Sequence, residues 1–329
     1  MNLERFENNE IDAVITWVDG HDYNHREKMK PFVENLNSMN NINFRSRFDH
    51  VNEIEFSVKS IRKFAKFIRN IFIVTDNQIP GFLKDPEKAT REFPNVFIVD
   101  HKVIFEGYHK YLPTFNSMSI ESLLYKIPNL SERFIYLNDD FFLLNDVKIS
   151  DFFIGNKTVI RGVWTSFYED IWYKKFQKKI FQLIGKDEKI NAFGFKKSQQ
   201  LIVKKLGFKK YVRLDHSFTA MRKSTFEKYY LKNSKMLEEN IKYRFRSHKQ
   251  FLNQSLAVHL EIKNNTFILN NNYQLVNFQN YKKPFFWIKY KLKNADKNKN
   301  RLFLCMQSLD KCPKEKLNFI KKWLSVKYN

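Results

Sequence analysis

Asn138-Asp139-Asp140, at the end of the apolar run Phe134-Ile135-Tyr136-Leu137, is the stretch whose residue types could do chemistry. Two adjacent carboxylates closing a buried strand repel each other unless a divalent cation or basic partners offset the charge. Upstream, Ile120, Leu123, Leu124 and Ile127 recur at helical spacing until Pro128, so Asn116 or Ser117 is placed to cap a helix. An isolated Asp pair is more often a turn than a site. Here, however, the pattern recurs: Ala13 to Val18 ends at Asp19-Gly20, Ile71 to Thr75 at Asp76, and Val96 to Val99 at Asp100-His101. Strands without polar alternation are those buried on both faces, which predicts a largely parallel sheet covered by helices. Ligands of such sheets bind beyond the carboxyl ends of the strands, so these acids are expected to line a cleft.

Strand and helix signals alternate up to about residue 150, as in a doubly wound α/β fold. Asn52 opens an amphipathic helix with Ile54, Val58, Ile61, Ala65 and Ile68 on one face and Lys59, Arg62, Lys63 and Lys66 on the other. Asp22 to Leu36 reads as a surface helix interrupted at Pro31. Phe152-Phe153 and Thr158 to Val163 read as strands. Ile171 to Leu183, Glu188 to Lys205, Ser234 to Lys242 and Gln250 to Val258 read as helices, and Ser224 with Glu227 matches a capping box. Three parts are expected: 1–160 an α/β core, 161–212 a helical lid or insertion, and 213–329 a C-terminal part that completes the site.

The 329 residues carry 58 Lys and Arg against 35 Asp and Glu, a net charge of +23, concentrated after Trp172. Such a surface attracts nucleic acid, anionic lipid or phosphorylated small molecules. No nucleic-acid motif is recognisable, so nucleic acid is not an expected partner. The acidic start MNLERFENNE does not read as a signal peptide, and no apolar run approaches a membrane span. Cys305 and Cys312 lack the partners of a zinc site. The expectation is a reduced, cytoplasmic protein, in peripheral contact with the inner face of a bacterial membrane through its C-terminal lysines.

The ordered segments IDAVITWVDG (11–20), RSRFD (45–49), FIVTD (72–76), LPTFNSMSIE (112–121), IPNLSERFIYLNDDFF (127–142), DHSF (215–218) and YRFRS (243–247) resemble the Stealth family of sugar-1-phosphate transferases over about residues 11–260. That family includes bacterial capsule phosphotransferases and the catalytic part of the animal enzyme that tags lysosomal proteins. The resemblance implies a variant of the GT-A nucleotide-sugar transferase architecture. It also implies transfer of hexose-1-phosphate from a nucleotide sugar to an oligosaccharide or polysaccharide hydroxyl.

On that reading Asp139 and Asp140 hold Mg²⁺ or Mn²⁺, which prefer carboxylate oxygens. Arg246, with Arg244 in support, suits bidentate phosphate contact. His216 is the general base, one of the acids at 138–140 being its rival. Trp17, Asp19, Asp76, Asn116, Ser117, Asn138 and Arg244 are the substrate-binding candidates. Each has a bland alternative: Trp17 in a core, Asn116 and Ser117 as caps, the two arginines paired with acids. His101, His109 and His259 are read as structural. Gln307-Ser308-Leu309-Asp310 departs from the family's Asn-Asp pair, and no site residue is assigned to the tail.

Overall fold

The four apolar runs become β1 (Ile11–Thr16), β2 (Ile68–Thr75), β3 (Val96–Asp100) and β4 (Arg133–Asn138). In the computed structural model, which describes residues 10–45, 48–171 and 194–329, they lie parallel in the order β4-β1-β2-β3. Thr219–Arg222 joins antiparallel beyond β4. The fold is therefore α/β with a mostly parallel sheet. Along the central strand, Val14 packs with Phe72, Val74, Phe134 and Tyr136 on one face, while Ala13 and Ile15 pack with Ile71, Ile73, Ile135 and Leu137 on the other. Successive strand residues alternate faces, so two covered faces demand an unbroken apolar run. β3 departs from the expected burial: it is the sheet edge, and Phe97 and Ile98 are exposed.

Helix Glu53–Phe64 buries Ile54, Val58 and Ile61 against the second face. Ile68, expected on its stripe, belongs instead to β2. The helix anticipated over 22–36 is shorter, Tyr23–Met29, and gives way to a 3₁₀ turn that contains Pro31. Between β3 and β4, helix Ser117–Glu121 is one turn long, and the rest of the expected apolar stripe continues in a 3₁₀ turn, Leu124–Lys126.

After β4 the chain turns at Asp139-Asp140 into β5 (Phe141–Leu143), which pairs antiparallel with Phe303–Met306; that strand in turn pairs parallel with Leu275–Phe278. Met306 N–H donates to the Asp140 carbonyl at 3.0 Å. The C-terminal part is thereby tied to the turn that carries the acid pair.

Residues 161–212 are not wholly helical: Val163–Ser166 pairs with Lys210–Arg213 as a two-stranded sheet, and Phe195–Lys205 is the helix between them that is described. The expected helix from Ile171 and the start of that from Glu188 lie outside the described residues. The capping box at Ser224 does not form. Helix Lys223–Lys232 begins one residue earlier, and Ser224 donates from both N–H and Oγ to Glu132. The later helices are Ser234–Ile241 and Asn253–Lys263. Cys305 and Cys312 are buried free thiols. No helix among the described residues is long and apolar enough to cross a membrane.

Fully buried Asp12 staples the start of the sheet: its carboxylate accepts from Arg69 at 3.0 and 2.7 Å, from Asn70 N–H at 3.1 Å and from Ser131 N–H at 2.7 Å. Removing it takes the acceptor from four N–H donors. Asp12→Ala is expected to cost about 3 kcal/mol in urea denaturation, the scale for breaking a buried charged network.

Candidate active site

A cavity of about 430 Å³ opens beyond the carboxyl ends of β1 and β4, where a parallel sheet positions ligands. Its wall gathers Trp17, Asn116, Ser117, Asn138, Asp139, Asp140, His216 and Arg246 from five separated segments.

The acids come first. Burial drives the Asp139 carboxyl well above the usual range, and the neighbouring Asp140 and Glu53 raise it further. Asp140 is pushed up as well, by burial, and its Oδ1 has no hydrogen-bond partner. Glu53 is raised to about 7 by burial, with Asp140 and Asp310 adding to the shift and the Val51 N–H, 2.6 Å from its Oε2, opposing it. Half-buried carboxylates crowded on a cavity wall with an orphaned oxygen are what a divalent cation would relieve, so the donor set fits a hard, oxygen-seeking ion. Among the described residues, three ligand atoms approach within 4.8 Å of one another at Asp19, His21 and His50, not at the acid pair. A cation on Asp139 and Asp140 would thus complete its shell with water and phosphate oxygens, the usual habit of Mg²⁺.

On the wall of the same cavity, Arg246 Nη2 donates to Ser117 Oγ at 2.9 Å. Behind Ser117 sits buried Glu121, whose carboxyl is pushed up to about 7 by burial, while the Arg246 charge and the polar groups of Tyr136, Gln254 and Ser117 pull it back. The Tyr136 hydroxyl donates to Asn138 Oδ1 at 2.8 Å and lies 3.0 Å from Thr16 Oγ1. This chain of contacts orients the amide next to the acid pair. His216 stacks on Phe195, ring centroids 4.0 Å apart. Burial holds its pKa below 6.5, with Asp215 opposing and Arg246 reinforcing that shift. The shift favours the neutral imidazole, the form able to accept a proton.

Other candidates are placed differently. Of the four strand-end acids, only those after β4 line the cavity. Asp19 accepts from His21 N–H at 2.9 Å and lies 3.2 Å from His50 Nε2. Asp76 pairs with Lys28 at 3.1 Å, and Asp100 accepts from Asn77 and Lys102 N–H groups. These three hold the loops around the cleft. Arg244 is also turned to structure: its Nη1 donates to the carbonyls of Tyr111 and Pro113 at 3.0 and 3.1 Å, and its guanidinium lies over Phe32. The segment 243–248 is not a strand, so Arg244 and Arg246 do not share a face. Buried Asn116 caps its helix through Met118 N–H and spends its Nδ2 on Tyr243 O and Gln250 Oε1. Trp17 lines the cavity from the edge of the core, its indole N–H buried and unpartnered.

Sequence reasoning missed Glu53, Asp310, His25, His50, Phe115 and Phe245, all on the cavity wall, and read His101 as structural although it lies there too. Burial lowers the pKa of His25 and His50 and takes His101 to about 4. Phe115 stacks on Phe245 at 5.4 Å, making an aromatic wall. None of these carried a signal in the sequence: Glu53, for one, reads as an ordinary acid in the first turn of a helix, and only packing buries it. The tail contributes as well: Gln307, Ser308, Leu309 and Asp310 line the cavity, against the expectation that assigned it nothing.

Residues 47–160 match the family model described as Stealth protein CR2, conserved region 2. The chain is 36% identical over 258 residues to the capsular polysaccharide phosphotransferase fcs1 of Haemophilus influenzae, covering 74% of this chain and 65% of that protein. The chain belongs to the Stealth family. Stealth relatives also include the capsular polysaccharide phosphotransferase LcbA of Neisseria meningitidis, 39% identical over 51% of this chain and 43% of that one. The exopolysaccharide phosphotransferase SCO6021 of Streptomyces coelicolor is 39% identical over 45% of this chain and 26% of that one. This chain thus spans under two thirds of the length of each of these Stealth proteins. Among solved structures, mouse xyloside xylosyltransferase 1 is similar at a TM-score of 0.42 and 10% identity, over 90% of this chain and 97% of that one.

In this Stealth chain Glu121 holds its proton more tightly folded than unfolded. The stability it contributes is fully present below about 4.5 and is lost as pH rises through about 7. Glu121→Gln keeps the shape and removes the titration. The stability of the variant relative to wild type, from denaturant melts, is expected to climb between pH 4.5 and 7 and to level off above.

Proposed function

We propose that this chain transfers hexose-1-phosphate from a nucleotide sugar, such as a UDP-N-acetylhexosamine, to a saccharide hydroxyl in capsule or surface polysaccharide synthesis. The acceptor oxygen forms a bond to the sugar-linked phosphorus, the phosphoanhydride bond breaks, UMP leaves, and the hydroxyl proton passes to a base. The observation that carries this reading is the convergence of an acid pair, a histidine and an arginine on one cavity in a chain whose relatives are named phosphotransferases. Bound Mg²⁺ or Mn²⁺ would supply charge stabilisation at the phosphoryl oxygens. Asp139 and Asp140 hold that ion, with Glu53 and Asp310 flanking them.

Arg246, braced by Ser117, contacts the phosphoryl oxygens, and His216 takes the proton. Trp17 and the Phe115–Phe245 wall receive the nucleotide base, and Asn138 orients the diphosphate. Residues 1–160 carry the donor and 213–329 complete the centre; of the cover expected at 161–212, residues 172–193 lie outside the described residues.

Incubation with UDP-sugars and acceptor oligosaccharides, followed by mass spectrometry, tests the reaction: UMP is expected, and UDP as the product would instead mean glycosyl transfer. Asp139→Asn and Asp140→Asn should each lose most turnover while folded. Arg246→Lys keeps the charge but not the planar fork, and is expected to lower turnover ~10²-fold or more. The acidic limb of the pH–rate profile should fall below 6.5, the ordinary histidine value that His216 undershoots, and should vanish in His216→Ala. An unaltered limb in that variant would move the base elsewhere.

The same reading includes peripheral contact with the inner face of the cell membrane. On helix Phe285–Lys297, Phe286 and Tyr290 are 74% and 64% exposed, and Lys289, Lys293 and Lys297 follow at the spacing of the same face. Aromatic rings among lysines suit an anionic bilayer surface. Co-sedimentation with phosphatidylglycerol vesicles should weaken with salt and in Phe286→Ser; equal pelleting with neutral vesicles would remove this contact.

A further inference from the structure

His216 and Asp215 also line a second, open groove of about 830 Å³ that the reaction chemistry does not use. His216 lies on the wall of both spaces, so this groove adjoins the cavity at the proposed base. Its composition differs from that of the cavity. Lys196, Lys197 and Arg213 line it with Asp215 as the only carboxylate among the described lining residues, and Asn277, Gln279 and Trp287 supply amides and an aromatic surface.

We infer that this groove binds the acceptor as an anionic saccharide chain, one carrying phosphodiester or carboxylate groups, and delivers its terminal hydroxyl to His216. The inference rests on the phosphotransfer reading and adds the acceptor's class and path. Three observations support it. Asn277 Oδ1 is buried without a hydrogen-bond partner, a polar atom that a sugar hydroxyl would satisfy. The rest of that residue is fixed, since its carbonyl accepts from Lys291 Nζ.

Second, Trp287 is rigidly held: it meets Phe278 edge-on at 6.0 Å and Lys291 Nζ lies 4.7 Å from its ring centre. An aromatic ring flanked by amides is suited to the apolar face and hydroxyl rim of a pyranose. Third, the charge is one-sided. Lys196 and Lys197 are exposed in the first turn of helix Phe195–Lys205, whose Phe195 stacks on His216. Cations along the groove would track repeated negative charges, whereas a neutral glycan has no use for them.

The test uses the full chain saturated with UMP, so that the donor cavity is filled, and titrates it calorimetrically with two probes. These are a phosphodiester-linked N-acetylhexosamine tetramer and neutral chitotetraose. The charged tetramer is expected to bind, more weakly at high salt, and the neutral one at least about tenfold more weakly. Lys196→Glu combined with Lys197→Glu, both at exposed positions that carry no packing, should weaken the charged tetramer about tenfold while UMP affinity is unchanged. Trp287→Ala should weaken both probes.

Failure of wild type to bind the charged tetramer, or an affinity within twofold in the lysine variant, overturns the groove. Equal affinity for both tetramers overturns the anionic assignment. These outcomes are independent of the nucleotide product: UMP release with no groove effect leaves phosphotransfer standing and removes the groove. Groove-dependent binding with no UMP release does the reverse, keeping the groove and removing phosphotransfer.

Discussion

A buried web of amides and hydroxyls between residues 116–122 and 240–253 is the interaction on which the rest of the site depends. Asn116 donates to Gln250 Oε1 and to Tyr243 O, Gln250 donates to Ser119 Oγ and Asn240 O, and Asn240 and Asn253 both donate to Ser122 Oγ. These groups lie out of water, so each unmade bond would cost the desolvation of its partner. The web therefore admits one register between two segments about 120 residues apart. Arg246 sits in the loop so held, which is why its guanidinium meets Ser117. Arg244 reinforces the same loop from the other side by bonding to Tyr111 and Pro113.

At the acid cluster the constraint is electrostatic. Asp139, Asp140 and Glu53 are crowded where burial already penalises their charge. Such a cluster is unfavourable for folding, and it persists because covalent turn geometry and the second sheet hold it. β5 follows the turn directly, and Phe303–Met306 pairs with it. The antiparallel partner then leads straight into Gln307 to Asp310, so the tail reaches the acids as a consequence of strand pairing. The loop after β1 is held as closely: a Cβ on Gly20 would lie 2.6 Å from Phe48 backbone atoms, and Gly20 N–H donates to Phe48 O. That contact draws Phe48, Asp49 and His50 to the cavity rim.

Local pattern by itself determined the parallel strands, the helix from Glu53 and the sheet edge at which the cavity opens. Apolar runs buried on both faces can belong only to the interior of a covered sheet, and the acid pair marked the edge at which the chain turns. The Asn138-Asp139-Asp140 string stood out by its place at a strand end, whereas Ser117, His216 and Arg246 were singled out through the family resemblance; all of them line the one cavity. The acids after β1, β2 and β3 looked alike in sequence, yet they bond to loops. An acid at a strand end obeys the same local rule whether it faces a cavity or a backbone N–H.

Only the tertiary structure decided which polar groups face the cavity. Arg244 and Arg246 are two residues apart and chemically identical, and their roles separate because one guanidinium meets buried carbonyls and the other meets Ser117 in the cleft. Glu53 reads as a helix-start acid, and burial converts it into a member of the acid cluster. Asp310 and Gln307 lie in a segment whose composition carries no chemical signal. Antiparallel pairing with β5 carries them to the site, and that pairing depends on contacts more than 160 residues apart in sequence, such as the 3.9 Å approach of Cys305 Sγ to Asp140 Oδ2. Periodicity reports what a residue's own element buries; which other element packs against it is set by non-local contacts that no local window contains.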